Sequence, residues 1–163
     1  MPTPRPITEE AALLRLTAQC ATTEYCLHDI RRKMAFWLLP EGAVERILQR
    51  LLRERYVNEE RYARAFARDK FRFNRWGAQR ISLELRRRGI SDDDIRAGLS
   101  EIDEDDSLNT LRDLLRSKHR TVTARSDYER YMKLLRFAVS RGFSIEQARQ
   151  CLQQDLQLED EDW

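Results

Sequence analysis

The residues with the clearest chemistry in this chain are arginines spaced along one predicted helix. Five of them recur every three or four positions: Arg61, Arg64, Arg68, Arg72 and Arg75. An α-helix advances by ~100° per residue, so these side chains fall within an arc of about 80°. A guanidinium group binds a carboxylate or a phosphate through two parallel hydrogen bonds. The pattern predicts a surface that recognises acidic protein patches or phosphates, with a solvated charged face as the alternative.

A second arc of the same helix is predicted to be buried. Tyr62, Phe66 and Phe73 cluster near ~100–140° on the helical wheel, away from the arginines. Glu60 and Asp69 neutralise only part of the arginine stripe, and no acid is interleaved at the ion-pair spacing. Holding like charges close together costs free energy, which favours a partner-binding role for the stripe.

Further basic residues extend the predicted surface. The next helix directs Arg80 and Arg87 outward. A weaker version of the pattern downstream contains Arg125, Arg130, Lys133, Arg136 and Arg141, of which Arg130, Lys133 and Arg136 are candidate binding residues. Trp76 lies just before the helix that carries Arg80 and Arg87, and it is interpreted as a core residue. The alternative for Trp76 is a stacking platform for a nucleic-acid base.

Catalysis requires convergent groups, and the sequence offers none at a recognised spacing. His28 and His119 lie far apart, and the chain has no phosphate-binding loop and no GxGxxG, HExxH or GxSxG motif. The acidic run at 92–94 is interpreted as the first turn of a helix, which the helix dipole favours. The run at 103–106 lacks the Gly and the final Glu of a calcium loop. We therefore expect a protein that is not an enzyme and needs no cofactor or metal.

The composition predicts a helix-rich, cytoplasmic protein without a membrane span. Charged residues make up 36% of the chain, with five Gly and four Pro. No apolar run approaches the about 20 residues of a spanning helix, and the N-terminus lacks the order of a signal peptide. Three cysteines lack a metal-binding spacing and are interpreted as free, buried or half-buried thiols: Cys20, Cys26 and Cys151.

A net charge of +2 conceals segments of opposite sign. Residues 53–90 hold 12 basic and 5 acidic residues, a balance of +7, whereas 91–107 hold 1 and 8, a balance of −7. Residues 108–149 hold 10 and 4, a balance of +6, and 150–163 hold 0 and 5, a balance of −5. We expect the acidic segments to neighbour the basic ones, and the partner to be anionic or complementary in charge.

A pattern of apolar, Gly and Ser residues recurs with a period near 50. Seven positions form the pattern: Ile81, Leu85, Gly89, Ile90, Ser91, Ile95 and Leu99. Adding 53 to each number gives the second copy: Leu134, Ala138, Gly142, Phe143, Ser144, Ala148 and Leu152. Subtracting 51 gives a fainter copy: Ile30, Met34, Leu38, Leu39, Pro40, Val44 and Leu48. Such a period is typical of tandem copies of one small helical unit.

Each copy contains a junction at which one helix ends and the next begins. Gly89 and Gly142 suit the position just after a helix, where φ is positive and Gly is favoured. Ser91 and Ser144 are predicted to be the N-caps of the following helices. In the first copy Pro40 occupies the equivalent place, and its fixed φ suits a helix start.

The predicted fold is all-α, with three tandem three-helix repeats that form an elongated, slightly curved array. The predicted organisation is a disordered leader at 1–7, repeats at 8–57, 58–103 and 104–158, and an acidic tail at 159–163. Thr8 and Asn58 are predicted to cap the first helices of the first two repeats. Helices are expected near 105–118, 127–141 and 145–156, with a loop over 118–126. Ten positions are predicted to be buried: Tyr62, Phe66, Ile81, Leu85, Ile90, Ile95, Leu99, Leu134, Phe143 and Leu152.

The second copy contains an ordered motif: Asn58-Glu-Glu-Arg61-Tyr62-Ala63, Phe66, Arg68, then Gly77, Arg80-Ile81, Leu85 and Arg88-Gly89-Ile90. This motif resembles that of the RecX family of bacterial regulatory proteins, which modulate the RecA recombinase. The resemblance covers nearly the whole chain, being strong over 56–102 and weak over 8–50. Asn58 stands where the family usually has Asp, and both residues cap helices well.

The resemblance implies a monomeric regulator that binds RecA or the RecA–DNA filament, lying in the filament's groove. It would inhibit or modulate recombinase, ATPase and coprotease activities in DNA repair and the SOS response, with weak DNA contact through the basic face. A direct nucleic-acid-binding protein that acts without RecA is the alternative, although a recognition helix beginning at Ser91 would bring three aspartates to the phosphates. A structural protein–protein adaptor is a third interpretation.

Overall fold

The computed structural model describes Thr3 and residues 5–157. These residues form α-helices and no strand, as predicted. The helices, in chain order, are α1 (Glu9–Cys20), α2 (Leu27–Met34), α3 (Ala43–Arg53), α4 (Glu59–Asn74), α5 (Ala78–Arg87), α6 (Asp92–Leu99), α7 (Glu104–Thr121), α8 (Asp127–Ser140) and α9 (Ile145–Asp155). Three helices therefore fall within each predicted repeat. No helix in the described part of the chain is both long and apolar enough to cross a membrane.

The chain packs into two compact units. Among the described residues, unit one comprises those up to Ala65 together with Leu85–Gly98, and unit two comprises Phe66–Glu84 and those from Leu99 onward. The division passes through the second repeat, because α4 and α5 each contribute one part to each unit.

Unit one contains an apolar core built from α1, α2 and α3. Seven buried members lie on these helices, and Val57 follows α3: Ala12, Leu16, Ile30, Met34, Ile47, Leu48, Leu51 and Val57. Helix α1 begins at the predicted cap, where Thr8 Oγ1 accepts the N–H of Ala11 at 3.1 Å. In the same unit, α4 and α6 approach so closely that a Cβ on Gly98 would lie 2.7 Å from the carbonyl oxygen of Ala63.

Unit two contains a separate core built from α7, α8 and α9. Its members are Leu108, Leu111, Leu115, Tyr131, Leu134, Leu135, Ala138, Phe143, Ala148, Cys151 and Leu152. A capping box starts α9, since Ser144 Oγ accepts the N–H of Gln147 and Gln147 Oε1 accepts the N–H of Ser144, each at 3.0 Å. The three thiols are free, with Cys26 and Cys151 buried and Cys20 half-buried.

Most of the predicted core positions are buried. Eight of the ten are below a tenth exposed: Tyr62, Ile81, Leu85, Ile90, Ile95, Leu134, Phe143 and Leu152. Phe66 and Leu99 are half-buried. Phe73 is 72% exposed, so its predicted burial is wrong. The helical wheel records only angle, and Phe73 lies about 16 Å further along the α4 axis than Tyr62, in the last turn.

The helix junctions of the second and third repeats have the predicted geometry. Gly89 has φ +71° and Gly142 has φ +97°. The N–H groups of Gly89 and Ile90 reach back to the carbonyls of Arg86 and Leu85, at 2.9 and 3.1 Å. This bond pair satisfies carbonyls that a helix end would otherwise leave without a partner.

The junction of the first repeat differs from the prediction. Pro40 does not start a helix, because α3 begins at Ala43, after Gly42 with φ +83°. The carbonyl of Pro40 instead accepts the N–H of Ala43 in a turn. Leu38, which the register aligns with Gly89, nevertheless has φ +47°. The backbone conformation therefore repeats where the Gly does not.

Two segment predictions are also corrected. In the predicted disordered leader at 1–7, backbone N–H groups of Arg5 and Ile7 donate to the carbonyls of Phe36 and Trp37, at 2.9 and 3.2 Å, so this described part is bound to the chain that follows α2. Residues 1, 2 and 4 of the leader lie outside the described residues. Helix α7 continues to Thr121, so the first part of the predicted 118–126 loop is helical. The predicted acidic tail lies outside the described residues.

Candidate partner-binding surface

Helix α4 carries the arginine stripe, and local chemistry explains where it begins. Asn58 Oδ1 accepts the N–H of Arg61 at 2.9 Å and so caps the first turn. Glu59 and Glu60 follow in that turn, where the helix dipole favours negative charge. The 16-residue helix then holds the stripe on a regular scaffold.

The first arginine of the stripe has structural partners. Arg61 Nε donates to Glu24 Oε1, and its Nη2 lies 3.2 Å from the carbonyl oxygen of Arg55 and 3.3 Å from that of Tyr56. All of these residues belong to unit one. Arg61 therefore ties α4 to the preceding segment, which makes it poorly suited to bind a partner.

The expectation that no acid is interleaved at the ion-pair spacing is wrong. Arg64 Nη2 lies 3.2 Å from Glu60 Oε1, four residues earlier on the same helix. A pair of this kind stabilises an exposed helix by only about 0.3–0.5 kcal/mol. The pair nevertheless occupies part of the Arg64 guanidinium.

The second half of the stripe lies in unit two and forms one wall of a groove. Arg68, Arg72 and Arg75 line this groove together with four acidic residues. Asp69 lies on α4, Glu101 precedes α7, and Asp106 and Asp113 lie on α7. Arg68 Nη1 is 4.0 Å from Glu101 Oε2, the outer limit for an ion pair. The groove brings an acidic segment beside a basic one, as the alternation of charge predicted.

Arg72 and Arg75 differ from the other members of the stripe in having no ion pair with a described carboxylate. Both side chains are exposed, and neither lies within 4.0 Å of a carboxylate in the described part of the chain. The Arg72 guanidinium lies 5.4 Å from the centre of the exposed Phe73 ring. Arg75 has φ +54° where α4 ends. We define Arg68, Arg72 and Arg75 as the α4 basic wall.

Trp76 is half-buried, and cations cover its ring. The Arg80 guanidinium is 4.2 Å from the ring centre, and Lys70 Nζ is 5.1 Å from it. Phe66 packs edge-on against Trp76, with the ring centres 6.4 Å apart. The Trp76 ring therefore packs at the turn between α4 and α5, and the Arg80 side chain is held against it.

A close backbone contact joins the start of α5 to the end of α8. The N–H of Gly77 donates to the carbonyl of Arg141 at 2.8 Å, and that of Gln79 to the carbonyl of Gly142 at 3.0 Å. A Cβ on Gly77 would overlap with the Gly142 carbonyl. The first N–H groups of one helix thus satisfy the last carbonyls of another. This role of Gly77 was not predicted from the sequence, although Gly is the residue that permits a close approach of the backbone.

The basic residues of the third repeat are partly engaged as well. Lys133 Nζ contacts Glu129 Oε1 at 3.1 Å and donates to the carbonyl of Thr123 at 2.6 Å. The pKa of Glu129 is lowered, mainly because the N–H of Arg125 donates to it and also because of Lys133. This network fixes the segment that precedes α8.

The remaining predicted binding residues differ in accessibility. Arg130 is half-buried, and its Nε is buried without a hydrogen-bond partner in the described part of the chain. Arg136 on α8 and Arg87 at the end of α5 are exposed. Arg136 lies in unit two and Arg87 in unit one.

The exposed cations of the α4 basic wall are chemically suited to contact anionic groups. Among the described residues, no group of three His, Cys, Asp or Glu side chains is placed to hold a metal ion. Burial raises the pKa of the Cys26 thiol to about 11 and also raises the pKa of Cys151. Both thiols are therefore protonated and poorly nucleophilic near neutral pH.

Comparison with known protein families identifies two segments of this chain. Residues 58–99 match the model described as RecX, second three-helix domain. Residues 104–152 match RecX, third three-helix domain. The two matches together cover more than half of the chain.

Curated relatives are named regulatory protein RecX. The protein from Chromobacterium violaceum is 30% identical over 129 residues, covering 79% of this chain and 80% of the relative. That from Clostridium perfringens strain 13 is 28% identical over 120 residues, covering 72% of this chain. The match spans only 56% of the Clostridium perfringens protein.

Solved structures share the fold. The crystal structure of regulatory protein RecX superposes with a TM-score of 0.80 at 22% identity, covering 88% of this chain and 72% of that one. The crystal structure of RecX from Lactobacillus salivarius gives a TM-score of 0.74 at 16% identity, covering 89% and 94%. On the strength of the two domain matches and the Chromobacterium violaceum relative, this chain belongs to the RecX family of regulatory proteins.

Proposed function

We propose that this chain regulates the RecA recombinase by binding RecA or the RecA–DNA filament. Binding would inhibit or modulate the recombinase, ATPase and coprotease activities of RecA in DNA repair and the SOS response. Membership of a family of regulatory proteins supports this proposal. The chain would act in the cytoplasm as a monomer, through binding and not catalysis, and without a cofactor.

The observation that carries the proposal is the accessibility of the α4 basic wall. Arg72 and Arg75 are exposed and have no carboxylate within 4.0 Å among the described residues, while Arg68 reaches one only at 4.0 Å. A folded chain gains little by holding such cations together, whereas an acidic protein surface or a phosphate would be bound by them. The neighbouring acids, Asp106 and Asp113, would repel the same partner and so restrict its approach to one side of the groove.

The test is reversal of charge on the basic wall. The variant Arg68→Glu with Arg72→Glu should lose inhibition of RecA ATPase and strand exchange, because two attractive contacts become repulsive. Its helicity and melting temperature should change little, since both side chains are exposed. The matched control is Arg50→Glu with Arg53→Glu on α3, which changes the net charge equally and should keep inhibition.

Two results would contradict the proposal. A folded basic-wall variant that still inhibits RecA fully would show that the binding surface lies elsewhere, with the third repeat as the next candidate. Equal loss in the α3 control would show that only net charge matters.

The alternative, direct nucleic-acid binding without RecA, has weaker support. Helix α6 would have to approach phosphates with Asp92 and Asp93 in its exposed first turn. Weak DNA contact through the basic wall is compatible with the proposal. Binding to bare duplex DNA that Arg68→Glu with Arg72→Glu abolishes, by a chain that leaves RecA activity unchanged, would favour the alternative. The logarithm of the affinity should then fall by ~0.9 per phosphate contact for each tenfold increase in salt.

A further inference from the structure

The first repeat contains a concave pocket that neither domain match covers. It lies in unit one and has a volume of about 770 Å³. Its wall carries four cations and three aromatic side chains: Arg5, Arg15, Arg32 and Lys33, with Tyr25, Phe36 and Trp37. This size is ordinary for a site that binds a small organic ligand.

Helical spacing explains why these side chains converge. Arg15 and Gln19 are four residues apart on α1, and Asp29 and Lys33 are four apart on α2, so each pair shares one helix face. Arg32 stands beside Lys33 on α2. The two aromatic residues at 36 and 37 follow one residue after α2, where the chain turns.

The aromatic rings already hold cations next to them. Lys33 Nζ lies 4.5 Å from the centre of the Tyr25 ring. The Arg15 guanidinium lies 5.5 Å from the centre of the Trp37 ring. Both rings also pack on the core of unit one, which fixes their positions. Phe36 is 45% exposed, which leaves an apolar ring open to a ligand.

The charges of the pocket are not balanced by the protein. None of the four cations has a carboxylate within 4.0 Å among the described residues. Asp29 is the one acid in the wall, and it accepts the N–H of Cys26 at 3.4 Å. Arg31, next to Arg32 in sequence, is instead paired with Glu45 at 2.9 Å and does not line the pocket. The wall therefore carries four cations against one acid, while the neighbouring Arg31 outside it is neutralised.

A polar group in the wall also lacks a partner. Gln19 Oε1 is buried without a hydrogen-bond partner in the described part of the chain. An unsatisfied buried acceptor costs free energy, and a terminal amide can rotate to offer either its oxygen or its NH₂ group. The edge of a heteroaromatic base supplies matching donors and acceptors.

We propose that this pocket binds a nucleoside phosphate, either a free nucleotide or one nucleotide of a single strand. The cations hold the phosphate, and the base stacks on the exposed aromatic surface. An anion without a ring would leave the aromatic wall in water, and a neutral ring would leave the cations without a counterion. Alternating cations and aromatic rings are the combination that binds single-stranded nucleic acid without reading its sequence.

The experiment measures equilibrium binding to the full chain, without RecA, for three probes: adenosine monophosphate, inorganic phosphate and a thymidine octamer. The nucleotide or the octamer should bind at least about tenfold more tightly than phosphate. Phe36→Ala should weaken that binding by between about fivefold and a hundredfold, the effect of losing one stacked base. Arg32→Gln should weaken it several-fold, whereas Arg31→Gln, the matched control, should change it less than twofold.

The probes separate the two sources of the ligand. Binding of adenosine monophosphate that depends on Arg32 and Phe36 supports a pocket that binds a free nucleotide. Binding of the octamer alone, with the same dependence, supports a pocket that binds one nucleotide of a single strand. Equal binding of phosphate and nucleotide, equal losses in the Arg31 and Arg32 variants, or no binding of any probe would overturn the proposal. These results do not involve RecA, so they leave the proposed regulation of RecA untouched.

Discussion

Two glycine junctions in this chain share a sequence pattern and a backbone shape but differ in their surroundings. Gly89 and Gly142 both have positive φ, and both are followed by an apolar residue whose N–H reaches back to the preceding helix. A Cβ on Gly89 would meet nothing within 4 Å, whereas one on Gly142 would overlap with Arg80 and lie 2.9 Å from the Gly77 carbonyl oxygen. At Gly89 the motif therefore only ends a helix, whereas at Gly142 it also allows two backbone segments to come into contact.

The largest effect should come from Gly142→Ala. The left-handed backbone costs an alanine about 1–2 kcal/mol, and overlap with a packed neighbour adds about 1–3 kcal/mol. We expect the free energy of unfolding to fall by about 2–5 kcal/mol, measured by urea denaturation of the full chain. Gly77→Ala, on the other side of the contact, should lower the free energy of unfolding by the overlap part alone, about 1–3 kcal/mol. A loss below ~1 kcal/mol for Gly142→Ala would contradict the close contact.

A smaller effect is expected for Gly89→Ala. The backbone cost is the same, but the space beside Gly89 is open, so no overlap is added. The free energy of unfolding should fall by about 1–2 kcal/mol. The comparison between the two junctions fails if the two Ala variants lose equal stability in the same denaturation experiment.

The smallest effect, and the opposite sign, is expected for Leu38→Gly. Leu38 occupies the equivalent position in the first repeat with φ +47°, and its side chain is 61% exposed. Glycine would relieve the left-handed strain, and the greater entropy of glycine in the unfolded chain would offset part of the gain. We expect a stabilisation of about 0.5 kcal/mol, seen as a rise in melting temperature. A clear destabilisation would show that the partly exposed Leu38 side chain contributes to packing.

Much of the local structure was predictable because its causes lie within a few residues. Thr8, Asn58 and Ser144 cap their helices as expected, through hydrogen bonds to an N–H three residues later. The candidate surface was predicted less well. The carboxylate that binds Arg61 is Glu24, 37 residues earlier, and no short-range pattern contains that distance. The exposure of Phe73 was missed as well, because the helical wheel does not record that this residue lies in the last turn of α4.

The sequence by itself determined the all-helical class, the period of the repeats, their helix boundaries to within a few residues, and the RecX resemblance. These follow from hydrophobic spacing, capping and the special conformations of Gly, which act over one or two helical turns. Only the tertiary structure decided which arginines of the stripe remain accessible and why Gly77 and Gly142 must both lack a side chain. It also brought the cations and rings of the first repeat into one pocket. Each of these depends on groups distant in sequence, whose approach is set by how whole helices pack and not by the residues beside them.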